Sequence, residues 1–299
     1  MKGVEDEAVS GCPSDRMKQR IITGVLFFLV ILAFFIPGYY SPYFLCALWT
    51  IVAVLSTHEM LQCVRAKKMN PGKVLSYLGA GLSLLPLLLK FFTESPLLAF
   101  GVYSLTIIMM ALHAVIFLPL IHPGENALAD GVATSGIILY VSFPLACANI
   151  TALFIQNGWY FLAIGVLTPW VSDVFAYFTG SFIGKHKIVP HISPKKTWEG
   201  CIGGAIGSAA VMALFFWLFM GRFMDTKFTV TQLIWFGAAY GFALSVVSQF
   251  GDWLASAIKR WAGIKDFGKL LPGHGGILDR FDSAFFSLPA AFALAMLFR

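Results

Sequence analysis

Apolar residues run along this chain in long continuous stretches separated by short polar segments, without the two-residue alternation of a half-buried strand. The stretches are 21–36, 39–57, 74–92, 97–121, 132–155, 159–183, 200–220, 233–255 and 283–298. Most approach the roughly 20 residues that a helix needs to cross a hydrocarbon core. Such runs are too long and continuous for the strands of a membrane barrel, and lipid leaves helices as the other spanning solution. The pattern predicts an all-α polytopic integral membrane protein of about nine transmembrane helices, with segment 1–20 outside the bilayer and one domain over 21–299.

Composition agrees with that class. Charged residues are 12% of the chain against about 25% in soluble proteins, and 58% are hydrophobic. The first stretch follows Arg16, Lys18 and Arg20, as a secretory signal would, but no small-residue cleavage site follows it and further spans do. It reads as a retained first helix. Cys12, Cys46, Cys63, Cys147 and Cys201 form no CxxC pair, which points away from a zinc site or a disulfide framework.

The net charge is +6, and its distribution sets an orientation. With a cytoplasmic N-terminus, the inner segments are 1–20, 58–73, 122–131, 184–199 and 256–282, which hold most of the Lys and Arg. The outer side keeps only Arg222, Lys227 and Arg299, with Lys90 at a span end. The positive-inside rule therefore predicts N-terminus in and C-terminus out. The cations before the first span and Arg65, Lys67 and Lys68 belong to membrane topology. The loops over 184–199 and 256–282 carry more than topology requires, and no nucleic-acid partner is implied.

Acidic residues inside spans cost about 2.5–3.5 kcal/mol each at a helix centre, so each needs a reason. Glu59, beside His58 at a span end, reads as a structural residue that snorkels to the interface. Asp173 and Asp252 lie toward the inner ends of helices that run into the two most basic loops. Tyr177 and Gly180 follow Asp173, and Ser256 and Lys259 follow Asp252, at same-face spacings. These stripes serve either an intramembrane salt bridge or a site.

The loop over 256–282 offers Lys259, Arg260, Lys265 and Asp266, then Pro272-Gly273-His274-Gly275-Gly276 and Asp279-Arg280-Phe281-Asp282. Pro and Gly make a compact turn that lets backbone approach a ligand. Asp279 and Asp282 point the same way if their turn is helical. Carboxylates beside cations are what a triphosphate held through magnesium requires. The loop over 184–200, with Lys185, Lys187 and Ser193-Pro194-Lys195-Lys196-Thr197-Trp198-Glu199-Gly200, is either an anion site at a helix start or a charged turn before a capped helix. It lacks the glycine spacing of a Walker A loop.

Ser256, Lys259-Arg260, Lys265-Asp266, Gly268, Pro272, His274-Gly275-Gly276, Asp279-Arg280 and Asp282 resemble the C-terminal signature of the CDP-diacylglycerol synthase family, also called phosphatidate cytidylyltransferase. Asp173, Ala176-Tyr177, Gly180 and Ser193 through Gly200 are similar to that family's other characteristic stretch. The two stretches lie within 173–200 and 252–282, roughly the last 130 residues. The resemblance implies a single catalytic membrane domain that converts CTP and phosphatidic acid to CDP-diacylglycerol and pyrophosphate. It also implies one or two magnesium ions, with Asp252 and Asp279 as metal-associated acids.

The expected metal ligands are then Asp252, Asp279, Asp173 and Asp282. Lys259, Arg260 and Lys196 are expected to neutralise phosphate charge in catalysis. Ser193, Lys195, Lys196, Ser256, Lys265, His274 and Arg280 are expected to bind substrate, His274 either touching a phosphate or shaping its turn. The site is expected at the inner face of a bacterial cytoplasmic membrane, with the bilayer, CTP and phosphatidic acid as partners. Gly200, Gly203, Gly204 and Gly207 offer a small-residue face for close helix contact and for a possible homodimer. A transporter and a CTP-using kinase of an isoprenoid alcohol are the competing readings, told apart by substrate uptake and by the nucleotide product.

Overall fold

A computed structural model describes residues 13–220 and 228–297. Lys2, Cys12, Arg222, Lys227 and Arg299 lie outside the described residues. The described chain is helical: α1 (Pro13–Tyr40), α2 (Pro42–Arg65), α3 (Lys73–Leu82), α4 (Leu85–Leu89), α5 (Pro96–Ile121), α6 (Ala127–Phe154), α7 (Gly158–Ile183), α8 (Trp198–Phe215), α9 (Val230–Ala262), α10 (Leu278–Phe281) and α11 (Ala284–Leu297). A π-helical turn, Phe216–Met220, continues α8. Strands are absent among the described residues, and isolated bridges, Lys187 with Thr197 and Leu271 with Gly275, pin the two long loops.

Seven of the described helices, α1, α2 and α5 to α9, are long and apolar enough to cross a membrane. The third and ninth expected stretches depart from full-length helices. The third breaks into α3 and α4 because Pro86 lacks an N–H and crowds the residues before it. Asn149 of α6 donates its amide to the Ser83 carbonyl at the break, 2.6 Å away. The ninth, α11, is 14 residues, about 21 Å of rise.

Local signals fix where the helices begin and end. Thr197 Oγ1 caps α8 by accepting from Gly200 N, and a Thr229/Gln232 capping box opens α9. Gly263, at φ +76°, closes α9 in the left-handed cap that glycine tolerates. The last turn of α9 therefore carries Lys259 and Arg260.

Helix α6 is the central element, with most of its span buried, whereas α1 and α5 are largely exposed along theirs. The α8 glycine face packs against α7 of the same chain: a side chain at Gly203 would collide with Thr179, and one at Gly207 with Phe175. The expected close helix contact is thus present, but it is intramolecular, and this face is not available to a second copy.

The segments expected on the inner side meet at one end of the molecule. Asn70 N donates to Asp130 Oδ1 at 2.7 Å, Arg260 Nε to the Ile192 carbonyl, and Ile277 N to Glu59. Arg20 of α1 lies against Gly273.

Candidate active site

Helix α9 presents Asp252, Ser256 and Lys259 along one face at intervals of four and three, so successive turns bring each to the same side. Ser256 Oγ is 3.4 Å from Asp252 Oδ1. Lys196, from the loop before α8, pairs with Asp252 and lies 5.8 Å from the centre of the Trp253 ring. One turn on, Lys259 Nζ is 2.7 Å from Asp279 Oδ1 and 3.9 Å from Asp282 Oδ2. The α10 turn does aim both aspartates the same way.

Asp279 also organises its own loop. Its Oδ2 accepts from Phe267 N at 2.8 Å and from Gly276 N at 3.0 Å. Glu59 completes the clamp from α2: Oε1 accepts from Ile277 N at 2.9 Å and Oε2 from Leu278 N at 2.8 Å. It is 5% exposed and does not snorkel to water. Its carboxylate serves the loop that carries the acids rather than the interface. Gly276 is glycine for this reason, because a Cβ there would occupy the place of the Glu59 carboxylate.

Asp282, between α10 and α11, accepts from Ser283 N at 2.7 Å and lies 3.2 Å from Ser283 Oγ. Burial, reinforced by the Asp252 carboxylate, pushes its carboxyl from 3.8 up to about 7. The folded chain then holds a proton that the unfolded chain has released, so the contribution favours folding at low pH and is lost as pH rises from about 4 through about 7. Asp282→Asn is expected to flatten this part of the stability profile, measured by thermal unfolding in chelator. An unchanged slope would exclude Asp282 as its source.

A cavity of about 270 Å³ is lined by Phe27, Trp170, Asp173, His274, Asp279, Arg280 and Asp282. Within this environment Arg280 Nε and His274 Nδ1 are buried without a hydrogen-bond partner among the described residues. Burial, then the charges of Arg280 and Arg20, lower the pKa of His274. A second cavity, about 450 Å³, is lined by Asp173, Tyr177, Lys187, Ser193, Lys195, Lys196 and Gln249. Asp173 faces both spaces.

Asp173, His274, Asp279, Arg280 and Asp282 line the first cavity, and Asp173, Ser193, Lys195 and Lys196 the second. Asp252, Ser256 and Lys259 line neither and are joined to them through the pairs of Lys196 with Asp252 and of Lys259 with Asp279. Arg260 is exposed, and its guanidinium bonds to the Ile192 and Ile264 carbonyls, fastening the two loops together. Lys265 is exposed on the loop after α9 and lines neither cavity. Gln249 was not foreseen; its amide donates to the Cys201 carbonyl at 3.1 Å and lies against Ser172 and Ser245. A lone amide one turn before Asp252 in an apolar helix was the available signal.

Among the described residues, no three His, Cys, Asp or Glu side chains converge as a preformed metal cage. The donor set still fits magnesium, which in phosphate sites takes one or two carboxylates and completes its shell with water and phosphate oxygens.

A model described as the cytidylyltransferase family matches residues 18–298. The chain belongs to the cytidylyltransferase family. The family resemblance seen in 173–200 and 252–282 is borne out, and the match also covers the first half, where the sequence offered only hydrophobic spans. A phosphatidate cytidylyltransferase of Staphylococcus haemolyticus is 43% identical to this family member over 134 residues, 45% of this chain and 48% of that protein. The proteins of the same name from Staphylococcus saprophyticus and Staphylococcus aureus are 42% and 43% identical over the same length. The matched stretch spans about half the length of these relatives.

Proposed function

We propose that this chain is a phosphatidate cytidylyltransferase, transferring the cytidylyl group of CTP to phosphatidic acid in phospholipid biosynthesis. The observation that carries the reading is Asp173 as a shared wall between a lysine-lined cavity and a second cavity lined by Arg280 and His274. Two anionic substrates can meet there without sharing the same cations.

In this reading Lys195, Lys196 and Ser193 bind the triphosphate, and Arg280 with His274 receives the lipid phosphate. That phosphate monoester has a second pKa of about 6 and is largely dianionic at neutral pH, so no general base is required. Its oxygen bonds to the α-phosphorus of CTP while the bond to the bridging oxygen breaks, and pyrophosphate leaves with the electron pair. The chain supplies alignment and charge neutralisation, which dominate phosphoryl transfer. Asp252 and Asp279, with Asp173 and Asp282, would hold one or two magnesium ions; bound there, magnesium neutralises triphosphate charge. Lys259 keeps Asp279 and Asp282 in register, and Arg260 holds the loop over 188–193 against α9.

The topology belongs to the same proposal. Nine passes, with α3–α4 as a broken third and α11 as a short ninth, place both basic loops on the cytoplasmic face of a bacterial inner membrane, N-terminus in and C-terminus out. A homodimer would use a face other than the α8 glycines.

Product identity is the test. The purified chain, given CTP, magnesium and phosphatidic acid, is expected to release pyrophosphate and form CDP-diacylglycerol in equal amounts. Release of CDP instead would identify a kinase and overturn the reading.

A further inference from the structure

A third cavity, about 410 Å³, lies between α1 and α2 and is lined almost wholly by apolar side chains. We propose that it seats one acyl chain of the phosphatidic acid substrate; this rests on the function proposed above.

The slot shares Phe27 and Leu271 with the cavity that holds Arg280 and His274, so the two spaces adjoin. Its α1 wall runs from Thr23 to Phe34, twelve residues with about 16 Å of helix rise between the first and the last. Thr23 is at the end where α1 meets the 270–277 loop, so the slot leads from the charged cavity toward the far end of α1. An acyl chain attached to a headgroup at Arg280 takes that direction.

Phe281 closes the inner side, packed edge-on against Phe27 at 5.8 Å and Trp49 at 6.0 Å. Val30 and Ile51 at the other side are about half exposed, which opens the slot sideways. A lipid can therefore enter laterally, with its headgroup leading along the loop. Lipid tails are as apolar as the slot, so moving a chain into it yields little free energy. Its effect is alignment: a chain held beside α1 fixes where the phosphate comes to rest.

The test compares dioleoyl with dioctanoyl phosphatidic acid in one detergent, reading kcat/KM for each. Val52→Trp fills the slot from its buried wall and Val30→Trp from its exposed edge; Ile108→Trp, on an exposed position of α5, adds the same bulk elsewhere. Both slot variants are expected to lower the dioleoyl-to-dioctanoyl ratio about tenfold, and the α5 variant to leave it unchanged. An unchanged ratio in folded slot variants overturns the proposal. An equal fall in the α5 variant does so too, because it assigns the effect to bulk lipid.

If Val52→Trp does not fold, Val30→Trp decides the matter. Wild-type protein can also be photolabelled with phosphatidic acid bearing a diazirine near its chain end. Labels are expected within 23–34 or 48–55, and labels confined to α5 or α7 would overturn the slot. Failure of the function proposed above looks different, since wild-type protein would then turn over neither lipid.

Discussion

Asp279→Asn is expected to lower turnover of CTP and phosphatidic acid by about a hundredfold or more, a loss typical of removing one preorganised charged contact. The Asp279 side chain is 3% exposed and its two oxygens receive Lys259 and two backbone N–H groups. Asparagine offers one acceptor oxygen and turns two hydrogens toward existing donors. Lys259, 11% exposed, would then rely on Asp282 at 3.9 Å. Orphaning one member of such a pair costs about 3–5 kcal/mol, so stability will fall along with activity.

A second variant separates the two losses. Adding Lys259→Met to Asp279→Asn removes the orphaned charge and is expected to recover thermal stability without recovering turnover. Near-normal turnover in a folded Asp279→Asn protein would remove this carboxylate from the chemistry.

Glu59→Gln is expected to reduce turnover about tenfold, within the range for residues that orient ligands through others. Its carboxylate satisfies the N–H groups of Ile277 and Leu278, immediately before Asp279. Glutamine can accept only one of them, and the other is left buried and unpaired at a cost of about 1–3 kcal/mol. The loop that carries Asp279 and Asp282 should loosen. A purely structural role would lower the unfolding temperature alone, whereas a positioning role also raises the magnesium concentration for half-maximal activity. Gly276→Ala should reproduce both changes, since its methyl group would displace the Glu59 carboxylate. An unaltered magnesium requirement in both variants would leave Glu59 with packing only.

Why Glu59 escaped a linear reading is plain from its partners, which lie 218 and 219 residues further along the chain. Hydropathy reveals that an acid is buried, not what it meets. By contrast, the membrane class and the stripe Asp252, Ser256, Lys259 were legible because helical periodicity is a local property. Adjacent residues on a helix diverge by about 100°, and so Lys259 turns inward to the aspartates while Arg260 turns outward to the other loop. A motif that names both residues conceals this division. Pro86 inside an apolar run was visible as a letter, but that Asn149 would arrive from α6 to donate to the Ser83 carbonyl at the break was not. The α8 glycines advertised close contact correctly and left its partner open; α7 supplies it.

The pairing of Lys196 with Asp252 and of Lys259 with Asp279 has a further consequence. In the function proposed above, each lysine holds its carboxylate in place until a cation arrives. Neither can turn to a phosphate without stranding its carboxylate, and neither carboxylate can take a new cation without releasing its lysine. Under that function, binding at this site would be an exchange of partners in which nucleotide and cation promote one another's entry. In that reading the contacts that hold the folded loops together would also guard the protein against idle consumption of CTP.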